Sequence, residues 1–293
     1  MVIIMASVVV YIIFFINKMK NLEMDIKNNI DNTILSLVLE NKNKIEEIRQ
    51  KEKQKTRNMD RIEIIESDES YSYTAKTVSN VLKGGHYNGS QKIVFLTFDD
   101  GVSTTVTPKV LDVLDRYDIH ATFFLTGESI EIGGKKAQSI VKDLYERGNA
   151  IGNHTYSHDY EYLYPGGSFD IEHIKKDIQK NEKLLQGILG KDFTTNVIRC
   201  PGGEMSWSNK GEFNEFLENN NLVSIDWNAL NFDAQGKKKT ASELVDCAIK
   251  SSGSKKLIVL LMHDTYKKEE TAKALPKIIE YYMENEYEFK VLK

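Results

Sequence analysis

Between residues 93 and 292 the chain keeps switching between short apolar runs and amphipathic stretches, and this alternation restricts the fold more than any other feature. Residues 93–98 (IVFLTF), 119–125 (IHATFFL), 150–152, 196–199, 222–227, 257–262 and 288–292 have the length and apolar character of strands. Helical patterns lie between them. One opens at Thr107-Pro108 with proline at its first position, one covers 136–147 and closes at Gly148, and a long one covers 170–189 and stops at Gly190. Others centre on 213–218, 242–250 and 272–284. Strand and helix in repeated succession imply an α/β fold with a parallel sheet covered by helices. Periodicity leaves an open doubly wound sheet and a barrel equally available.

The ionisable residues fall at one address on this map. Asp99 and Asp100 follow the first run, His154 and His158 the third, Arg199 ends the next, Asp226 lies near the end of 222–227, and His263-Asp264 follow 257–262. Each is at a strand's C-terminal end, where the loops of a parallel α/β fold converge on one mouth and ligands bind. His154-Thr-Tyr-Ser-His158 is the strongest local signal. Two imidazoles four residues apart on a helical turn face the same side and can share a divalent ion, although such a pair also arises by accident on exposed helices. Thr155 occupies the place where the zinc-protease motif needs glutamate. Asp99 and Asp100 point in different directions on leaving a strand, so one can ligate the ion while the other stays free as a base. Gly101 is expected to let the chain turn sharply afterwards.

One carboxylate and two imidazoles fit a catalytic zinc-type site, and they also fit a nonheme iron oxygenase triad. A hydrolase accounts for two further groups that an oxygenase leaves idle: the second carboxylate, Asp99, as proton acceptor, and His263 as an acid-base candidate. Composition removes other classes. A formal charge of −4, from 39 Lys+Arg against 43 Asp+Glu, argues against a nucleic-acid binder working by phosphate neutralisation. The two cysteines, Cys200 and Cys247, cannot build a thiolate zinc site.

The N-terminal part differs in character. Residues 2–16 carry no charge, fall somewhat short of the roughly 20 residues that span a bilayer, and are followed by no A-x-A-like cleavage site, so residues 1–17 read as an uncleaved signal anchor. Lys18 and Lys20 would place the following side in the cytoplasm on the positive-inside rule, and basic residues ahead of the segment would reverse that. Residues 18–89 read as a helical stalk and linker. Ile26, Ile30, Ile34 and Leu37 recur at helical spacing within a Lys- and Glu-rich sequence, the pattern of a solvated amphipathic helix rather than a clean coiled-coil heptad. The catalytic domain is assigned to 90–293.

Thr97-Phe-Asp-Asp-Gly101, His154-x-x-x-His158, Arg199-Cys-Pro-Gly-Gly203, Asp226-Trp227 and Leu261-Met-His263 together resemble, in order, the five motifs of the polysaccharide deacetylases, carbohydrate esterase family four. The resemblance implies a distorted, incomplete (β/α) barrel. It implies Asp99 as general base, Arg199 as its partner, and Asp100, His154 and His158 as ligands of a divalent ion, Zn2+ first and Co2+, Ni2+ or Mn2+ next. It further implies His263 as general acid tuned by Asp226, an oxyanion contact from the Gly202 N–H beside Pro201, and a pocket for the acetyl methyl walled by Trp227 and Leu261. Three residues depart from the family pattern: Val102 stands where proline is common, and Cys200 and Gly202 replace larger or aromatic residues. The subsite wall thereby loses a side chain. Tyr160, Tyr162 and Tyr164 read as a half-buried loop, with sugar stacking as the alternative.

These expectations add up to a membrane-anchored, metal-dependent N-deacetylase with an extracellular catalytic domain. The expected partners are the membrane and an N-acetylated glycan, peptidoglycan N-acetylglucosamine ahead of chitin or xylan. The competing reading is a wall-binding protein that keeps the fold without the reaction.

Overall fold

The computed structural model describes residues 71–293, so the expected anchor and the stalk up to residue 70 lie outside the described residues. Among the described residues no helix is long and apolar enough to cross a membrane. The strands are β1 (Ser72–Tyr73), β2 (Lys92–Gly101), β3 (Thr122–Leu125), β4 (Ala150–Asn153), β5 (Val197–Ile198), β6 (Val223–Ser224), β7 (Ala229–Leu230), β8 (Leu257–His263), β9 (Tyr287–Phe289) and β10 (Val291–Leu292).

The main sheet runs β6-β5-β4-β3-β2-β8-β7, with β9 also paired to β2, and its pairings are parallel. β2 is at the centre and buried on both sides, which is why it reads as an unbroken apolar run. Val94, Leu96 and Phe98 pack in one cluster with residues of the helices Thr107–Arg116 and Glu269–Glu284. Alternate residues Ile93 and Phe95 join Phe124, Val197, Ile225, Leu257 and Val259 in a second cluster, the interior enclosed by the curled sheet.

The curl follows from the two edges. β6 and β7 lie at opposite ends of the strand order, yet only residues 225–228 separate them in the chain. Six consecutive Cα atoms cannot bridge a flat sheet of this width, so the edges are drawn towards each other. Ile225 N donates to Ile198 O on one side and Asn228 N to Val259 O on the other. The architecture is therefore the incomplete barrel rather than the open sheet. The run at 222–227 is not one strand: the segment bends as it crosses, leaving two short strands on different neighbours.

Two further expectations change. Residues 72–82, assigned to the linker, belong to the folded unit: β1 pairs with β10, and the helix Ala75–Leu82 buries Ala75 and Val78 in the interior cluster beside Tyr73. Ser79 Oγ donates to Ser224 O at 2.8 Å. This helix was missed because its apolar face is only Ala75, Val78, Val81 and Leu82, too short a pattern to stand out from the polar sequence around it. The helix expected at 136–147 also starts earlier, as Gly127–Glu146, with a break at Gly134.

Candidate active site

The site is assembled at the C-terminal ends of the strands. Asp99 on β2 is level with His263 on β8 and with Phe124 on β3. Arg199, fully buried after β5, reaches across the interior: Nη1 donates to Asp99 Oδ1 at 2.7 Å and to Thr97 Oγ1 at 2.8 Å, Nε to Ile225 O at 2.8 Å, and Nη2 to Asp226 O at 3.2 Å. Its guanidinium lies 4.1 Å from the centre of the Phe124 ring. Bonds from four of its five N–H groups make the burial of this guanidinium tolerable, and Asp99 supplies the matching charge.

At Asp100 the backbone takes a left-handed conformation (φ 66°), and the ladder with β3 shifts register between Asp99 and Gly101. This turns the second carboxylate away from the first. Asp100 Oδ1 lies 3.4 Å from His154 Nε2 and 3.3 Å from His158 Nε2. Gly101 is needed for space rather than for an unusual φ, because a Cβ there would run into the carboxylate of Asp264. Asp264 is itself buried, bonded by Thr107 Oγ1 at 2.5 Å, and burial pushes its pKa up to about 7.

His154 and His158 do not share a helical turn. They sit in the loop between β4 and the helix Tyr160–Leu163, and Thr155 (φ 65°) and His158 (φ 54°) both take left-handed conformations. Conformations of this kind persist only when the surroundings hold them. Here Asp177, buried in the helix Ile171–Leu189, accepts the N–H groups of Tyr156 and Ser157 at 2.8 Å each, and Asn153 Oδ1 accepts that of Thr155 at 2.9 Å. His154 Nδ1 is 2.7 Å from Arg199 O, which leaves Nε2 to face Asp100.

The three ligand atoms of Asp100, His154 and His158 lie within 4.8 Å of one another, and Asp100 Oδ1 is buried without a hydrogen-bond partner. An orphaned carboxylate oxygen facing two imidazole nitrogens is the donor set of a divalent cation, so the residues fit a metal. Electrostatics agrees. Burial would raise the Asp100 pKa, but the close approach and charge of His154, with the charges of His158 and His263, hold it well below the usual carboxylate range. Burial and the neighbouring His154 push His158 down, whereas Asp99 and Asp100 outweigh burial at His154 and raise it.

His263 has a different partner from the one expected. Its Nδ1 is 2.7 Å from Asp233 Oδ1, its N–H donates to Asp233 Oδ2 at 2.9 Å, and Thr271 Oγ1 donates to the same oxygen at 2.7 Å. Burial would lower the imidazole pKa, but the hydrogen bond and charge of Asp233, reinforced by Asp100 and Asp99, carry it up to about 9. Asp226 instead accepts the backbone N–H groups of Glu204 (2.9 Å) and Met205 (3.3 Å). The assignment of Asp226 to His263 is thus corrected to Asp233. The reason is the bend at 225–228: Asp226 lies in the crossing, and Asp233 follows β7, the strand beside β8.

Leu261 is buried on β8, two residues before His263 and on the same face. Trp227 lies 5.7 Å from Arg199, Pro201 is buried, and Gly202 is exposed with φ 75°. A cleft of about 670 Å³ at the other end of the barrel, by the N-terminal ends of β4 and β5, contains no acidic or histidine side chain.

The polysaccharide deacetylase family profile matches residues 86–213. The peptidoglycan-N-acetylglucosamine deacetylase of Bacillus cereus is 30% identical over 223 residues, covering 73% of this chain and 74% of the relative. Among solved structures, the CE4 esterase of Streptococcus mutans superposes with a TM-score of 0.69 at 36% identity, covering 76% of this chain and 92% of the other. The catalytic domain of peptidoglycan N-acetylglucosamine deacetylase from Eubacterium rectale superposes with a TM-score of 0.61 at 28% identity, covering 71% and 91%.

Proposed function

Because the chain belongs to the polysaccharide deacetylase family, carbohydrate esterase family four, we propose that it hydrolyses N-acetyl groups of peptidoglycan N-acetylglucosamine with the help of a divalent ion. The observation that carries this reading is the convergence of the orphaned Asp100 Oδ1 on His154 and His158, with Asp99 and His263 level with each other on the adjoining strands. Asp100, His154 and His158 would hold the ion, and two imidazoles with one carboxylate are a donor set that catalytic Zn2+ uses. Bound there, it supplies Lewis acidity, lowering the pKa of water and polarising a carbonyl oxygen.

The chain's own groups divide the proton traffic. Asp99, fixed by Arg199 Nη1, accepts the proton of the attacking water. The Gly202 N–H donates to the oxygen that gains negative charge as the amide carbon becomes tetrahedral. His263, engaged at Nδ1 by Asp233, carries its transferable proton on Nε2 and delivers it to the leaving nitrogen. Acetate and a free amine result.

The B. cereus relative's name supports peptidoglycan as substrate, and an uncharged segment at 2–16 ahead of a stalk suits an immobile substrate near the membrane. The catalytic domain then faces outward. Acetate release by the full chain from purified peptidoglycan, chitin oligomers and acetylated xylan tests the substrate: the highest kcat/KM is expected on peptidoglycan, and release from xylan alone contradicts the reading. Protease treatment of intact cells is expected to degrade the catalytic domain, and a protected domain refutes the outward orientation.

A further inference from the structure

The space beside Gly202 that a side chain there would occupy is filled by Trp207, five residues on, and by Tyr160 from the histidine loop. A Cβ at Gly202 would sit 3.0 Å from Trp207 Cζ2 and 3.4 Å from the Tyr160 hydroxyl. The two rings lie 5.3 Å apart, and Tyr160 is also 5.3 Å from the ring of His158, so this pair runs from the metal-ligand loop to the Arg199–Gly203 motif. Tyr160 is 45% exposed despite these contacts.

The pair is held from behind. Trp207 stacks on buried Tyr164 at 4.1 Å and 15°, and its Nε1 donates to Pro201 O at 2.9 Å. The turn that carries it, Glu204–Ser206, is anchored by the two N–H bonds to Asp226 and by an ion pair of Lys83 with the buried Glu204 at 2.8 Å. Met205, 71% exposed, projects from the same turn. An apolar surface fixed in this way beside a polar centre needs little reordering to receive a ring of matching shape. The C–H face of a pyranose is such a ring.

We infer that Tyr160 and Trp207 form the wall on which the sugar next to the acetylated unit packs, replacing a side chain from position 202 and making the site selective for oligomers over single sugars. The inference rests on the deacetylase reading for its choice of ligand. Asp226 acts here as a positioning residue for the wall.

The test uses the full chain with Zn2+ and N-acetylglucosamine as the single sugar and as the tetramer. Tyr160→Ala is expected to raise KM for the tetramer roughly three- to tenfold, the worth of one aromatic contact, with the single sugar affected less and Tyr160→Phe restoring the wild-type KM. An unchanged tetramer KM in Tyr160→Ala overturns the inference. Binding can be read without turnover, because Trp207 and Trp227 are the two tryptophans of the chain. In Trp227→Phe the tetramer is expected to change the fluorescence of Trp207, and saturating tetramer that leaves it unaltered also overturns the inference. Binding at Trp207 with no acetate released by the wild-type chain supports the wall and sinks the deacetylase reading.

Discussion

Asp233 and Arg199 are the two residues through which the site's charges are set. With protonated His263 as the proposed acid, activity is expected to fall as pH rises through its pKa, which Asp233 holds up near 9. Without that carboxylate, burial acts to lower the imidazole pKa. Asp233→Asn should therefore move the alkaline limb of the kcat/KM profile about one to three pH units towards acid, while Asp226→Asn leaves the limb in place. A limb that follows Asp226 and ignores Asp233 contradicts the assignment. Arg199→Met strands Asp99 as a buried, unpaired charge and should cost about 3–5 kcal/mol in urea unfolding. Adding Asp99→Leu should recover much of that loss, and a double variant no more stable than the single one refutes the pairing. Asp99, Asp100, His154, His158, Arg199 and His263 were legible because their spacing relative to strand ends is local information. Asp233 was not, because its role depends on which edge of the sheet β7 joins. Nor was Asp177, whose contacts with the histidine loop span about 20 residues and leave no periodic trace.

Elements were legible where they were long. β2, β8 and the helix Ile171–Leu189 lie where the apolar pattern places them, because each buries a repeating face. β1, β6 and β7, two residues each, take their conformation from neighbours rather than from their own sequence. The helix Ala75–Leu82 shows the consequence for domain limits. Removing residues before 90 deletes Tyr73, Ala75 and Val78 from the interior cluster and uncovers their neighbours there, among which are Ile93, Phe95 and Leu257. At about 1.5–3 kcal/mol for each large buried side chain, the loss approaches the roughly 5–15 kcal/mol that a domain of this kind has in total. A chain starting at residue 90 should melt at least about 10 °C below one starting at residue 71. Equal melting temperatures would return residues 71–89 to the linker.

At the scale of the whole molecule, the mouth that holds the candidate site and the point where the described chain begins lie at opposite ends of the barrel. Tyr71, where the described chain begins, packs against His120 just ahead of β3 with the two rings tilted at 49°, and Leu292 N donates to Thr122 Oγ1 at the start of that strand. The described chain thus begins at the barrel end opposite the mouth. The net charge of −4 plays no part in this arrangement; the mouth depends on a few paired charges and one open donor set. The central claim is that this donor set and Asp99 together hydrolyse an N-acetyl group. It is tested most directly by acetate release from an N-acetylglucosamine tetramer, measured on the full chain after chelation, after Zn2+ is restored, and in Asp99→Asn. Chelation should abolish release and Zn2+ restore it, with one free amine per acetate, and Asp99→Asn should lower the rate by about 10²–10⁴. Release that survives chelation, or that persists unchanged in Asp99→Asn, would contradict the account.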